Sequence, residues 1–232
     1  MTDKGIQTVI DHCNRPNKKT IIIPQPIGFN VDYGLVWTDI DHYNLGDVSP
    51  YKFYLIKDKS FKCIGAVLDM KTDLHWYITP KSRKKGFLTN ALKDVILPHI
   101  SKSRKEQRIT INKNDIGKVN FEASLNTAKG AGFRFKTDIG DYVECIQKLA
   151  KHKKKSINTS FQGMDFERMG ELRKKMNAIV GSLWHIQAEL EMKLGQSNYT
   201  RYLIRTINEL QNYRIYKMDD ALHDFIEEKD KL

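Results

Sequence analysis

The spacing of apolar and polar positions is clearest in the middle of the chain. YKFYLIKDKSFKCIGAVLDM is two β-rich runs around KDKS, which predicts a hairpin from about Tyr51 to Met70. LHWYIT, Leu74 to Thr79, predicts a third strand stopped by Pro80. From Gly86 to Ile100 the apolar residues Leu88, Ala91, Leu92, Val95 and Ile96 fall at i, i+3, i+4, i+7 and i+8, the spacing of a helix that buries one face. RITIN, Arg108 to Asn112, predicts another strand. Val119 to Ala131 predicts a helix ended by Gly132, and FRFKTDIGDYVECIQKL two strands about Ile139–Gly140–Asp141. Before Tyr51 the pattern is weaker: KKTIIIPQP predicts a strand closed by prolines, and WTDIDHYNLGDV contains a helix start.

The resulting order, β-β-β-α-β-α-β-β, is an α/β pattern with strands both paired by hairpins and joined by helices. Residues 151–160, KHKKKSINTS, read as a basic linker between a domain over 1–150 and a helical region over 161–232. In that region Leu172, Met176, Ile179, Leu183, Ile186 and Leu190 form a short heptad seam. Gly195 breaks it, and a second helix from about Tyr199 carries Leu203, Ile207 and Leu210 inward, with Met218, Leu222 and Phe225 continuing its apolar face. A hairpin of this kind needs cover for its apolar faces, from the first domain or from a second copy in a homodimer.

Charge adds one distinction. Residues 1–155 hold 28 Lys and Arg against 16 Asp and Glu, whereas 156–232 hold 11 against 12. The basic field therefore lies on the first domain and favours an anionic partner there. The N-terminal residues lack a signal-peptide pattern and no apolar run is long enough to span a bilayer, so a cytoplasmic protein with no membrane partner is expected. Three widely spaced cysteines, Cys13, Cys63 and Cys145, predict neither a disulfide framework nor a zinc site.

The candidate chemistry lies in YITPKSRKKGFLTNAL. A strand leads through a loop bearing Lys81, Arg83, Lys84 and Lys85 to Gly86 and a helix start, a generic anion site of outward N–H groups and a favourable dipole. Neither G-x-x-x-x-G-K-[ST] nor G-x-G-x-x-G is present, which argues against an NTPase and a dinucleotide-binding fold. Arg83-Lys-Lys-Gly86-Phe87-Leu88 after LHWYITP instead resembles the Q/R-x-x-G-x-G/A acetyl-CoA signature of the GNAT N-acetyltransferase superfamily. FEASLNTAKGAGFRF resembles that family's N-x-x-S…GF segment, through Ser124 and Gly132-Phe133. The resemblance covers about residues 51–149.

It implies a mixed α/β fold whose splayed central sheet is flanked by helices, with the C-terminal helical hairpin outside it. Acetyl-CoA, as co-substrate, would lie between LHWYIT, including Trp76 and Ile78, and RITIN. Backbone N–H groups from Lys84 through Lys85, Gly86, Phe87 and Leu88 to Thr89 would cap the pyrophosphate, with Arg83 as supporting charge and Asn120 and Ser124 from the following helix. A backbone N–H of LHWYIT would hold the thioester carbonyl while an amine attacks directly. His75 and Tyr77, on one face of that strand, are candidate acid–base groups, and Tyr142 is a candidate acid, since Ala128 stands where the family often has a tyrosine. Leu88 stands where the signature has a second small residue, and Phe121 where it has asparagine, with Asn120 beside it. The acceptor class implied is an amine on a protein, a small molecule or an aminoacyl-tRNA. The alternative is a nucleic-acid- or partner-binding protein on the same scaffold, using Lys102, Arg104, Lys105, Arg108 and the basic linker.

Overall fold

A computed structural model describes residues 1–16, 20–38, 49–152, 161, 163–215 and 217–230. Most of the basic linker, residues 153–160, lies outside the described residues, as do Lys18 and Lys19 of KKTIIIPQP and residues 39–48 of the expected helix start. The chain forms two compact units, Met1–Ser160 and Phe161–Leu232.

The first unit opens with α1 (Asp3–Asn14), capped by the Thr2 side chain, which accepts from Gly5 N. Its buried residues Ile6, Val9 and Ile10 share one face. Five strands follow as an antiparallel meander: β1 (Ile21–Gly28), β2 (Val31–Trp37), β3 (Tyr51–Lys57), β4 (Cys63–Asp69) and β5 (Leu74–Ile78). Pro24 and Pro26 do not close β1 but sit inside it, because β1 is an edge strand paired only with β2 and needs no donor on its outer side. β4 is buried along its whole length, as CIGAVLD requires, with α1 on one face and the main core on the other.

After β5, a 3-10 turn (Pro80–Ser82) leads to α2 (Phe87–Ala91), which continues through a π-helical turn (Leu92–Ile96) into α3 (Leu97–Ile100). The expected single helix is thus widened in the middle. Pro98 cannot donate and its ring crowds the carbonyl four residues back, and the π turn just before it absorbs that conflict. β6 (Glu106–Asn112) then opens a second sheet with two later strands, antiparallel throughout. α4 (Lys113–Ala131) lies between β6 and β7 (Arg134–Ile139), and β8 (Tyr142–Lys148) returns through the centre. Gly132, at φ 94°, ends α4: its own N–H reaches Lys129 O and that of Phe133 reaches Ala128 O.

β5 and β6 are the facing edges of the two sheets and share no backbone ladder. Side chains join the sheets instead. Asp73 Oδ1 accepts from Thr110 N at 3.1 Å, and the buried Asp69 carboxylate receives Arg104 Nη2 at 2.6 Å. Arg104 Nη1 also donates to Lys71 O at 2.8 Å. Within the first sheet, Gly65 on β4 makes room for its β5 partner Ile78, since a Cβ there would stand 2.1 Å from Ile78 Cδ1 and 2.9 Å from Tyr77 O. Gly65→Ala is expected to cost about 1–3 kcal/mol of stability, read as a lower urea midpoint at unchanged slope.

The second unit comprises α5 (Phe166–Leu194), α6 (Asn198–Glu209), a π turn (Leu210–Arg214) and α7 (Lys217–Asp230). A capping box of Ser197 and Thr200 starts α6. The heptad seam divides. Met176 and Leu183 pack with Val180, Leu203, Ile207 and Leu210 in an internal core, while Ile179 and Ile186 are 51% and 50% exposed. No helix among the described residues is long and apolar enough to cross a membrane.

Candidate functional site

The missing ladder between β5 and β6 leaves a cleft of about 840 Å³, walled by β5, β6, α4 and the start of α2. One end is the loop into α2. Lys84 and Gly86 both have positive φ, 60° and 78°, so the chain reverses sharply before the helix. Its first backbone bond runs from Asn90 N to Gly86 O at 2.9 Å, which leaves the N–H groups of Phe87, Leu88 and Thr89 without an intrahelical acceptor. No side chain caps this end. The orphan donors and the positive end of the dipole lie at the end of the cleft that Lys84 lines, and the exposed side chains of Lys81, Lys84 and Lys85 make no ion pair with any described residue. A phosphate fits this arrangement.

The expected cofactor residues divide into two kinds. Arg83 is held within the protein: Nε donates to Ile78 O at 3.0 Å, Nη1 donates to Asn120 Oδ1 at 3.2 Å, and the guanidinium lies 5.5 Å from the Tyr77 ring centroid. It fastens the loop to β5 and α4. Asn120 also donates to Ile116 O, and Ser124, one helical turn on, accepts from Trp76 Nε1 at 3.4 Å. Leu88 lines the cleft while being buried in the core with Leu92 and Ala91. Gly130 brings α4 close to α2, for a Cβ there would meet Thr89 Cγ2 at 2.8 Å. Trp76, Ile78, Phe87 and Thr89 all line the cleft, whereas Lys85 lies off its wall.

The other end carries ionisable side chains. His75 Nε2 meets Asp3 Oδ1 at 2.8 Å and Nδ1 meets Met1 O at 3.1 Å. Both partners are acceptors, so the imidazole satisfies both only when both nitrogens carry protons. Tyr77 lines the wall, while Tyr142, half-exposed at the start of β8, does not. Ala128 is fully buried in the core, so that position offers no proton donor.

Asp73, whose place in the turn before LHWYIT fits turn formation and chemistry equally well from sequence, stands on the wall beside His75. Its Oδ1 accepts from Leu74 N at 2.7 Å as well as from Thr110 N. Burial pushes its carboxyl above the usual range, against the lowering effect of the Thr110 and Leu74 hydrogen bonds and of His75. Asp3 was equally hidden, for it comes to His75 across 72 residues. A carboxylate made more basic by burial, next to an imidazole, can take a proton from an ammonium group.

Outside the cleft much basic charge is neutralised locally, with Arg104 on Asp69, Arg108 on Glu144 and Lys113 on Asp141. Among the described residues no three His, Cys, Asp or Glu side chains are grouped to hold a metal ion.

No protein-family model matches the chain, and no curated protein does. Similar solved structures include a GNAT-superfamily phosphinothricin acetyltransferase of Sinorhizobium meliloti in complex with acetyl-CoA, at 13% identity, TM-score 0.35, over 48% of this chain and 68% of that one. A spermidine N-acetyltransferase chimera from Vibrio cholerae and hSSAT matches at 12% identity, TM-score 0.36, over 49% and 77%. An N-acetyltransferase of Campylobacter jejuni matches at 14% identity, TM-score 0.30, over 52% and 70%. At such TM-scores and identities the likenesses carry no argument about this chain's chemistry, which rests on the cleft itself.

Proposed function

We propose that the first unit transfers an acetyl group from acetyl-CoA to an amine by direct attack. The observation that carries this is the cleft between unpaired strand edges, with uncapped helix N–H groups at one end and a half-buried carboxyl at the other. The dimensions agree with it. Ile78 to Leu74 is four steps along the strand, roughly 13 Å at ~3.3 Å per step, comparable to an extended pantetheine arm. Pyrophosphate on the N–H groups of Gly86 to Thr89 therefore puts the thioester near Leu74 to Trp76, beside Asp73 and His75.

There an unpaired N–H of β5 on the cleft side holds the thioester oxygen and stabilises its developing charge. Asp73 removes the proton from the incoming ammonium group, and the neutral amine attacks the carbonyl carbon. The tetrahedral intermediate collapses as the C–S bond breaks, and the CoA thiolate leaves. In this reading Tyr77, the one tyrosine of the described cleft wall, protonates it. His75, held by Asp3 and the Met1 carbonyl, fixes the acceptor end of the wall and shares the acid–base work when one of its nitrogens is freed.

The test is incubation of the full chain with acetyl-CoA and a panel of amines (polyamines, lysine peptides, peptide N-termini), following release of CoA thiol. Acceptor-dependent release is expected for one class. Acetyl-CoA binding without release from any amine would instead favour a binding protein on this scaffold. No binding at millimolar acetyl-CoA would remove the proposal.

A further inference from the structure

Cys13 and Cys63 are distant in sequence, yet the fold sets them side by side. Cys13 lies in the last turn of α1 and Cys63 opens β4. Asn14, the neighbour of Cys13, is clamped to the Cys63 backbone: its Oδ1 accepts from Cys63 N at 2.9 Å and its Nδ2 donates to Cys63 O at 2.8 Å. The carboxamide gives Cys63 the two bonds a neighbouring strand would supply. Cys13 packs against the cluster that buries Cys63, whose own thiol donates to Gly65 O at 3.5 Å. Lys57, the cross-strand partner of Cys63, adds a cation nearby that is itself paired with Asp32. Cys145 is buried on β8 in the other core cluster.

We propose that Cys13 and Cys63 form a peroxide-responsive dithiol that closes reversibly into an intramolecular disulfide. The half-buried Cys13 is the attacking sulfur and Cys63, 1% exposed, the resolving one. The neighbouring Cys63 thiol and Lys57, against burial and Asp32, bring the Cys13 thiol down to about 7, whereas the neighbouring Cys13 sulfur and burial push Cys63 up. The Cys13 thiolate attacks one peroxide oxygen, the O–O bond breaks, and the departing hydroxide takes a proton to leave as water. The Cys63 sulfur then attacks the Cys13 sulfenic acid, an S–S bond forms, and the expelled hydroxide leaves as water with the Cys63 proton. Two thiols and one peroxide give one disulfide and two waters. The same helix holds His75 through Asp3, so the cross-link would fix α1 on the sheet beneath the cleft. This inference rests on the α1–β4 contact and is independent of acetyl transfer.

The experiment is a non-reducing peptide map of the wild-type chain after one equivalent of hydrogen peroxide, with oxidation rates followed at pH 6 and pH 8. Expected are a Cys13–Cys63 link within one chain, undone by dithiothreitol, with Cys145 still free. The rate should rise about tenfold across that pH range, where an ordinary thiol rises by tens of fold. Cys63→Ala should leave a Cys13 sulfenic acid that a 1,3-dione captures. Links through Cys145, links only between chains, or oxidation of Cys13 to sulfinic acid with no link would each overturn the proposal. The wild-type map decides even if the variant does not fold.

Discussion

Asp73→Asn should lower acetyl transfer by about 10²- to 10⁴-fold while leaving the protein as stable at neutral pH, or more so. Asparagine keeps an oxygen for the N–H groups of Leu74 and Thr110, so the tie between the sheets survives. What it loses is the site that takes the proton. Because burial raises this carboxyl above the usual range, the folded chain binds its proton more tightly than the unfolded chain does. The associated stability is therefore complete below the unfolded value and is lost as pH rises through the raised folded one. At neutral pH the wild type carries a carboxylate in surroundings that disfavour it, and Asn removes that cost. The acid limb of the wild-type rate profile should lie above the ordinary carboxylate range for the same reason. A variant retaining activity within threefold, or one losing stability at pH 7, would contradict the role given to Asp73.

Gly86→Ala should weaken acetyl-CoA binding roughly ten- to a hundredfold, the equivalent of one hydrogen bond to a charged group. Space is not the obstacle, for a Cβ there would find only Asn90 Nδ2, at 3.6 Å. The obstacle is the backbone, since φ of 78° strains any L side chain and relaxing it turns the free N–H groups of the first helical turn away from the mouth. Stability should fall by only about 1 kcal/mol. Calorimetric titration with acetyl-CoA, alongside urea unfolding, separates the two effects. An unchanged dissociation constant would take the phosphate away from this loop.

Much of the fold was legible where period alone decides. The hairpin of β3 and β4, the strand β5 and the helix after Gly86 follow from local alternation and helical spacing, and the observed elements agree within a few residues. α1 was overlooked although Thr2 offers a cap and Ile6, Val9, Ile10 and Cys13 keep helical spacing, because only four apolar residues carry the signal. The β1 prolines argue against a strand interior unless the strand is known to be an edge, and that is a tertiary fact. The site was legible in its first half. Gly86 and the lysines are contiguous, so a local motif reports them. Asp3 with His75, Asp73 with Thr110 and Cys13 with Cys63 are long-range pairs, and nothing local marks them. Arg83 shows the opposite difficulty: the motif marks it as a phosphate ligand, while its bonds to Ile78 O and Asn120 make it a brace for the loop.

The most direct test of the central claim is a crystal structure of the full chain with acetyl-CoA. The expected result has pyrophosphate oxygens about 2.7–3.2 Å from backbone nitrogens between Lys84 and Thr89, the pantetheine arm between β5 and β6, and the thioester beside Asp73. Acetyl-CoA bound elsewhere, or an empty cleft at millimolar cofactor, would contradict it.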